Sequence, residues 1–217
     1  MHGDLHGELA AGGERETGSR VVDLAVNVRA GTPPRWLRER LAEVDLARYP
    51  DPRRAVQAIA DRHGRDVSNV LVTAGAAEAF VLIARALTPR RCVVVHPQFT
   101  EPEVALRAAG HEVSRVVLGA PFTLDPSAIP ADADLVVIGN PTNPTAILHP
   151  GEMLRALARR GRTLVVDEAF ADCGPAESES LAGDGELPGL VVVRSLTKTW
   201  GVAGLRVGYL LAEADMV

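Results

Sequence analysis

Aromatic residues are scarce in this 217-residue chain, at 4%, and cysteine is scarcer, with only Cys92 and Cys173. Two cysteines are too few for a disulfide framework or a four-ligand zinc site, so both read as reduced thiols and no metal centre is expected. No stretch approaches the ~18 consecutive apolar residues of a membrane-spanning helix. The opening MHGDLHGELAAGGERE has neither a basic leader nor an apolar core segment, which makes the cytoplasm the expected compartment. His2 and His6 lie in that polar stretch and read as solvated. Long basic blocks are also missing: 28 acidic against 23 basic side chains leave a formal charge of −5, so nucleic acid is not an expected partner. Arg35, Arg38, Arg40, Arg53 and Arg54 read as solvated helix faces. Lysine is the rarest absence of all, because 22 of the 23 basic residues are arginine and the exception is Lys198. A guanidinium keeps its proton, whereas a lysine amine can lose one and attack a carbonyl, so a sole lysine points to chemistry that arginine cannot do.

What is present suffices for a core. Hydrophobic residues make up 47% of the chain, and its length suits one domain, or one and a half at ~150 residues each. Residues 1–19 read as a flexible tail rich in Gly, Glu and Ala. Beyond it, short β-branched runs at Val70–Thr73, Cys92–His96, Val113–Val117, Leu135–Ile138, Thr163–Asp167, Val191–Ser195 and Val207–Leu211 alternate with amphipathic segments. Nearly all are continuously apolar, as strands buried on both faces of a mainly parallel sheet are. Helices are expected from Pro33–Pro34 to about Val44, after Asp51–Pro52 up to Gly64, over Ala76–Leu87 and Glu101–Ala109, and over Gly151–Arg160. This is the pattern of an α/β three-layer sandwich, in which ligands sit at the carboxyl ends of the strands. The polar, Gly- and Ser-rich stretch Ala171–Gly189 is expected to be an exposed loop.

Four strand ends carry the candidate chemistry. Gly75, Ala76 and Ala77 form a small-residue turn into a helix whose first amides are free for an anion. The loop Asn140-Pro141-Thr142-Asn143-Pro144-Thr145 has two Asn-Pro pairs that hold it off helix, with both amide side chains expected on display. Asp167 closes a strand, where a carboxylate is costly unless it meets a cation or donors. The fourth is Arg194-Ser195-Leu196-Thr197-Lys198-Thr199-Trp200-Gly201-Val202-Ala203-Gly204-Leu205-Arg206-Val207-Gly208, which combines hydroxyls, the sole lysine and an arginine eight residues further on.

The last segment resembles the lysine signature of the class I and II, fold-type I, aminotransferases, which use pyridoxal 5′-phosphate (PLP). The Asn-Pro loop, Asp-Glu-Ala-Phe and the Gly75 turn occur in that family's order, so the resemblance covers about residues 20–217. It implies that Lys198 is the Schiff-base lysine and proton shuttle, that Asp167 pairs with the pyridinium nitrogen, and that Asn143 bonds the phenolic oxygen. The amides of Ala76 and Ala77, with Ser195 and Arg206, would hold the phosphate, and Phe99 would stack on the ring. Tyr49 resembles a tyrosine that reaches the phosphate of a neighbouring subunit, which implies a homodimer, and Asn27 matches a segment that touches substrate.

Within the family, Phe170 replaces a frequent tyrosine, as in the branch holding histidinol-phosphate aminotransferase and the cobalamin-pathway threonine-phosphate decarboxylase. The expected function is therefore transamination of an amino-acid phosphate or related amine. The alternatives are L-threonine-O-3-phosphate decarboxylation and a non-catalytic, truncated PLP-binding or dimerisation fragment. The expected organisation is a large PLP-binding domain over 20–217 without a small C-terminal domain, and weak or absent turnover by the 217 residues alone. A Rossmann nucleotide binder fits poorly, since no Gly-x-Gly-x-x-Gly follows the first strand.

Overall fold

The computed structural model describes residues 27–174 and 177–217, and the expected tail with its two histidines lies outside them. In chain order come α1 (Arg35–Ala42), α2 (Arg53–His63), β1 (Val70–Thr73), α3 (Ala76–Ala86), β2 (Cys92–His96), α4 (Glu101–Ala108) and β3 (Val113–Val117). Then follow β4 (Leu135–Gly139), α5 (Gly151–Arg155), β5 (Thr163–Asp167), β6 (Leu190–Ser195) and β7 (Gly208–Leu211). The strands form one sheet in the order β1-β7-β6-β5-β4-β2-β3, parallel except for β7, which runs antiparallel to both of its neighbours.

The sheet forms because Val- and Leu-rich runs fit a pleated surface covered on both sides. Alternate residues divide between two cores. Leu164, Val166, Leu190 and Val192 pack with Ala60 of α2 and Leu154 of α5, while Val165, Val191 and Val193 pack with Ala79, Phe80 and Ile83 of α3 and Leu106 of α4. Burying each such side chain is worth roughly 1.5–3 kcal/mol. The helix signals act as expected: the Asp51 carboxylate accepts from the Arg53 amide at 3.1 Å, and Gly64 ends α2 in the left-handed region at φ 62°.

Several expectations change. The helix expected over Gly151–Arg160 stops at Arg155, because the next amides bond i→i−3 (Leu157 to Leu154, Ala158 to Arg155) and the Leu157 carbonyl accepts from Arg162 at 3.0 Å. The third strand is an edge, with Ser114, Arg115 and Val117 exposed, so it is not covered on both faces. The stretch Ala171–Gly189 is not simply exposed: Leu181 and Ala182 are buried against the core because Glu168 fastens the chain there, accepting from Ser180 Oγ at 2.6 Å and the Leu181 amide at 2.7 Å. Among the described residues, no helix is long and apolar enough to cross a membrane.

Candidate active site

Chain connections leave β2 and β4 in opposite directions, toward β3 on one side and β5 on the other, which opens a crevice at their carboxyl ends. Phe99 follows β2, Gly139 ends β4, and Pro141 and Asn143 follow it. Together with Ala76, Ala77, Asp167, Ala169, Phe170, Ser195, Thr197, Lys198 and Arg206 they line one cleft. Arg206 arrives by a route that depends on β7. Because β7 runs antiparallel, its start returns to the carboxyl edge, with Gly208 opposite both Thr73 and Ser195.

One end of the cleft is built for an anion. The α3 N-terminus presents the Ala76 and Ala77 amides. Gly75 before them adopts φ 79°, which favours glycine, and a Cβ there would stand 2.9 Å from Arg206 Nη2, so the guanidinium lies directly over the turn. Gly208 allows the same approach from the other side: a Cβ on it would lie 2.7 Å from the Arg194 carbonyl oxygen and 2.9 Å from the Gly75 carbonyl carbon. Ser195 Oγ and Thr197 Oγ1 are 2.8 Å apart and both buried.

The other end holds a carboxylate. Asp167 is 7% exposed, and among the described residues its carboxylate accepts one hydrogen bond, from the Ala169 amide at 3.0 Å. Burial pushes its pKa from 3.8 up to about 6, an increase that the Ala169 amide opposes and the nearby Glu168 charge reinforces, with Lys198 pulling back last. Lys198 itself is lowered, first by burial and then by Arg206. A depressed lysine amine is closer to the neutral, nucleophilic form. The lysine loop is braced from outside: the Arg29 amide donates to the Lys198 carbonyl at 3.0 Å, and Trp200 packs edge-on against Trp36 with centroids 5.9 Å apart.

Nearly all the expected site residues therefore meet in one place, with Asp167 and Lys198 on the same side of the sheet. Two positions differ. Asn140 is not displayed: it is 2% exposed, its amide donates to the His149 carbonyl at 3.1 Å, and its oxygen accepts from the His149 amide at 2.7 Å. Only Asn143 of the two Asn-Pro pairs faces the cleft. Asn27 is exposed and does not line it. Tyr49 is 98% exposed and does not line this chain's own cleft. Thr197 was missed as a lining residue, although its hydroxyl beside the lysine was a legible signal.

The family model for aminotransferase class I and II matches residues 19–217. The chain belongs to that family. Class I and II aminotransferases are PLP-dependent. The chain is 54% identical over 210 residues to a histidinol-phosphate aminotransferase of Mycobacterium tuberculosis, covering 94% of this chain and 57% of that protein. It is 33% identical over 209 residues to a threonine-phosphate decarboxylase of Salmonella typhimurium, covering 90% and 57%. Among solved structures, the L-threonine-O-3-phosphate decarboxylase of Porphyromonas gingivalis matches with TM-score 0.78 and 28% identity over 90% of this chain and 61% of that one. The chain thus spans a little over half the length of the family members it matches.

The donor set fits the family's cofactor. The cleft offers amides, hydroxyls and a guanidinium for a phosphate at one end, a buried carboxylate without a cationic hydrogen-bond partner for a ring nitrogen at the other, and a primary amine on the same wall.

Proposed function

We propose that this chain forms the cofactor-binding part of a PLP-dependent aminotransferase that acts on an amino-acid phosphate, of the histidinol-phosphate aminotransferase type. The observation that carries this reading is the pairing, in one cleft, of a buried carboxylate bonded to a single amide with the sole lysine, half-buried and depressed in pKa. The 54% identity to a histidinol-phosphate aminotransferase supports the substrate class.

When bound, pyridoxal phosphate supplies an electron sink for bonds at a substrate's α-carbon. Around it each side chain has a task. The amides of Ala76 and Ala77, Ser195, Thr197 and Arg206 would hold the phosphate. Asp167 keeps a proton on the ring nitrogen, and the match is mutual, because a cation there offsets the cost of burying the carboxylate. Asn143 would donate to the phenolic oxygen, and Phe99 would pack against the ring. Lys198 would hold the cofactor through Nζ, and its amine would move a proton at the substrate's α-carbon. Two copies of the chain are needed if Tyr49 is to reach a neighbouring phosphate, so the working unit is a homodimer.

Decarboxylation of L-threonine O-3-phosphate is the second reading. It is supported by the 33% identity to a threonine-phosphate decarboxylase and by the likeness to a solved L-threonine-O-3-phosphate decarboxylase, while Phe170, found in the branch that holds both enzymes, does not separate them. Amino transfer from histidinol phosphate to 2-oxoglutarate, set beside release of carbon dioxide from phosphothreonine, separates the two. Absorbance of a PLP-treated sample, before and after borohydride, should show covalent uptake by the wild type and none by Lys198→Ala. Equal covalent uptake by the two would sink the assignment.

A further inference from the structure

Behind the cleft, on the opposite face of the same strand ends, lies a charge cluster that the proposed chemistry does not use. Arg194, one residue before Ser195, is 2% exposed. Its Nη1 donates to Glu168 at 2.7 Å, and its Nη2 donates to Asp172 at 2.8 Å and to Glu177. The groups facing it are those three carboxylates, Tyr209 across β7, His63 bonded to the tyrosine hydroxyl at 2.8 Å, and Arg62, which shares Glu177. A buried ion cluster is a poor source of net stability, because apolar side chains of the same volume hold a core at least as well. Its location suggests a different use.

Neighbouring residues point to opposite faces of a strand, so Asp167 and Ser195 enter the cleft while Glu168 and Arg194 meet behind it. We infer that Arg194 is a positioning residue for the cofactor cleft: through Glu168 it fixes the end of β6, and with it Ser195 and Lys198, against the end of β5 that carries Asp167. The inference rests on the pyridoxal phosphate reading above. A slip of one residue between β5 and β6 would break the ion pair and turn one of the cleft residues away, whereas two valine runs alone tolerate such a slip far better. Asp172 and Glu177 extend the hold to the segment after Phe170, which walls the cleft. The geometry is specific to a planar fork: one ammonium cannot reproduce the two separate nitrogens that reach Glu168 on one side and Asp172 with Glu177 on the other.

The test uses the purified protein titrated with PLP, comparing Arg194→Gln, Arg194→Lys and Glu168→Gln with Leu154→Ala, a core variant in α5 that lowers the melting temperature without touching strand ends. The expected result is a rise in the cofactor dissociation constant on the order of tenfold in Arg194→Gln, comparable to loss of an outer partner at a metal ligand, with partial recovery in Arg194→Lys. The pH midpoint of the bound cofactor's absorbance change should also move upward in Arg194→Gln, since the lost guanidinium leaves the Glu168 charge uncompensated beside Asp167. Leu154→Ala should shift neither. If Arg194→Gln fails to fold, the lysine variant and Glu168→Gln carry the same comparison. A wild type that takes up cofactor, with Arg194 and Glu168 variants that match Leu154→Ala in affinity and pH midpoint, overturns this inference alone. A wild type that takes up no cofactor overturns the functional reading and this inference with it.

Discussion

Asp167 and Glu168 are consecutive residues at one strand end, both buried, and the protein treats them in opposite ways. Burial raises the pKa of each. At Glu168 the Arg194 guanidinium, the Ser180 hydroxyl and the Leu181 amide pull it back, whereas Asp167 has the Ala169 amide and only a weak pull from Lys198. The rear carboxylate is complete within the chain; the front one is left short of a cation. An under-satisfied buried charge is a standing cost, which a protein tolerates where a ligand completes it. The comparison separates groups that build the site from groups that await something in it.

Breaking the front face should have the largest effect. Lys198→Ala removes both the attachment point and the proton carrier, so borohydride-fixed uptake of the cofactor should fall to background, while the melting temperature stays close to that of the wild type. Where the two faces touch, Gly208→Ala forces a Cβ into the Arg194 carbonyl and the Gly75 turn. Overpacking of this kind should cost roughly 1–3 kcal/mol in urea unfolding and weaken cofactor binding in parallel.

The pH dependence sharpens the contrast. In cofactor-free protein the folded state holds the Asp167 proton more tightly than the unfolded chain, about 6 against 3.8. That stability is fully present below about pH 4 and is lost as pH rises through about 6, a loss on the order of 3 kcal/mol. His63 behind the sheet has the reverse sign. Burial, then Arg194 and Arg62, lower it from 6.5 to about 4, so its contribution is present above pH 6.5 and lost as pH falls toward 4. Asp167→Asn should therefore raise cofactor-free stability at pH 7 and uncover the acid-side slope of His63 between pH 4 and 6 in thermal melts. It should also weaken PLP binding, because a neutral amide no longer holds the ring-nitrogen proton. The smallest effect on folding belongs to Tyr49→Ala, at a side chain 98% exposed: unfolding should shift by no more than ~0.5 kcal/mol, while subunit association or phosphate retention declines in sedimentation and cofactor-release measurements.

Much of this was legible beforehand. The strands emerged within a residue of their observed limits because nearly all are β-branched runs bounded by turn residues, β7 (Gly-Tyr-Leu-Leu) being the exception. Lys198, Asp167, Asn143, Ser195 and Arg206 were legible because each sits at such a boundary in a recognisable family motif. Other features were not. Asn140 and Asn143 have the same Asn-Pro context, and only the position of His149, nine residues beyond Asn140, makes the first a structural brace and leaves the second facing the cleft. The segment after Ala171 looks solvated by composition, yet Leu181 and Ala182 are buried because Glu168 reaches Ser180 and Leu181.

Local chain properties determined the elements and the reactive residue types: Val runs extend, Ala-rich stretches wind, and one amine stands among twenty-two guanidinia. Tertiary structure alone decided which face each strand-end residue takes, that β7 runs antiparallel and so returns Arg206 to the Gly75 turn, and that Arg194 meets three carboxylates from the earlier segment that follows β5. These are long-range choices, set by strand register and by which charges can be neutralised away from water, and no window of neighbouring residues contains them.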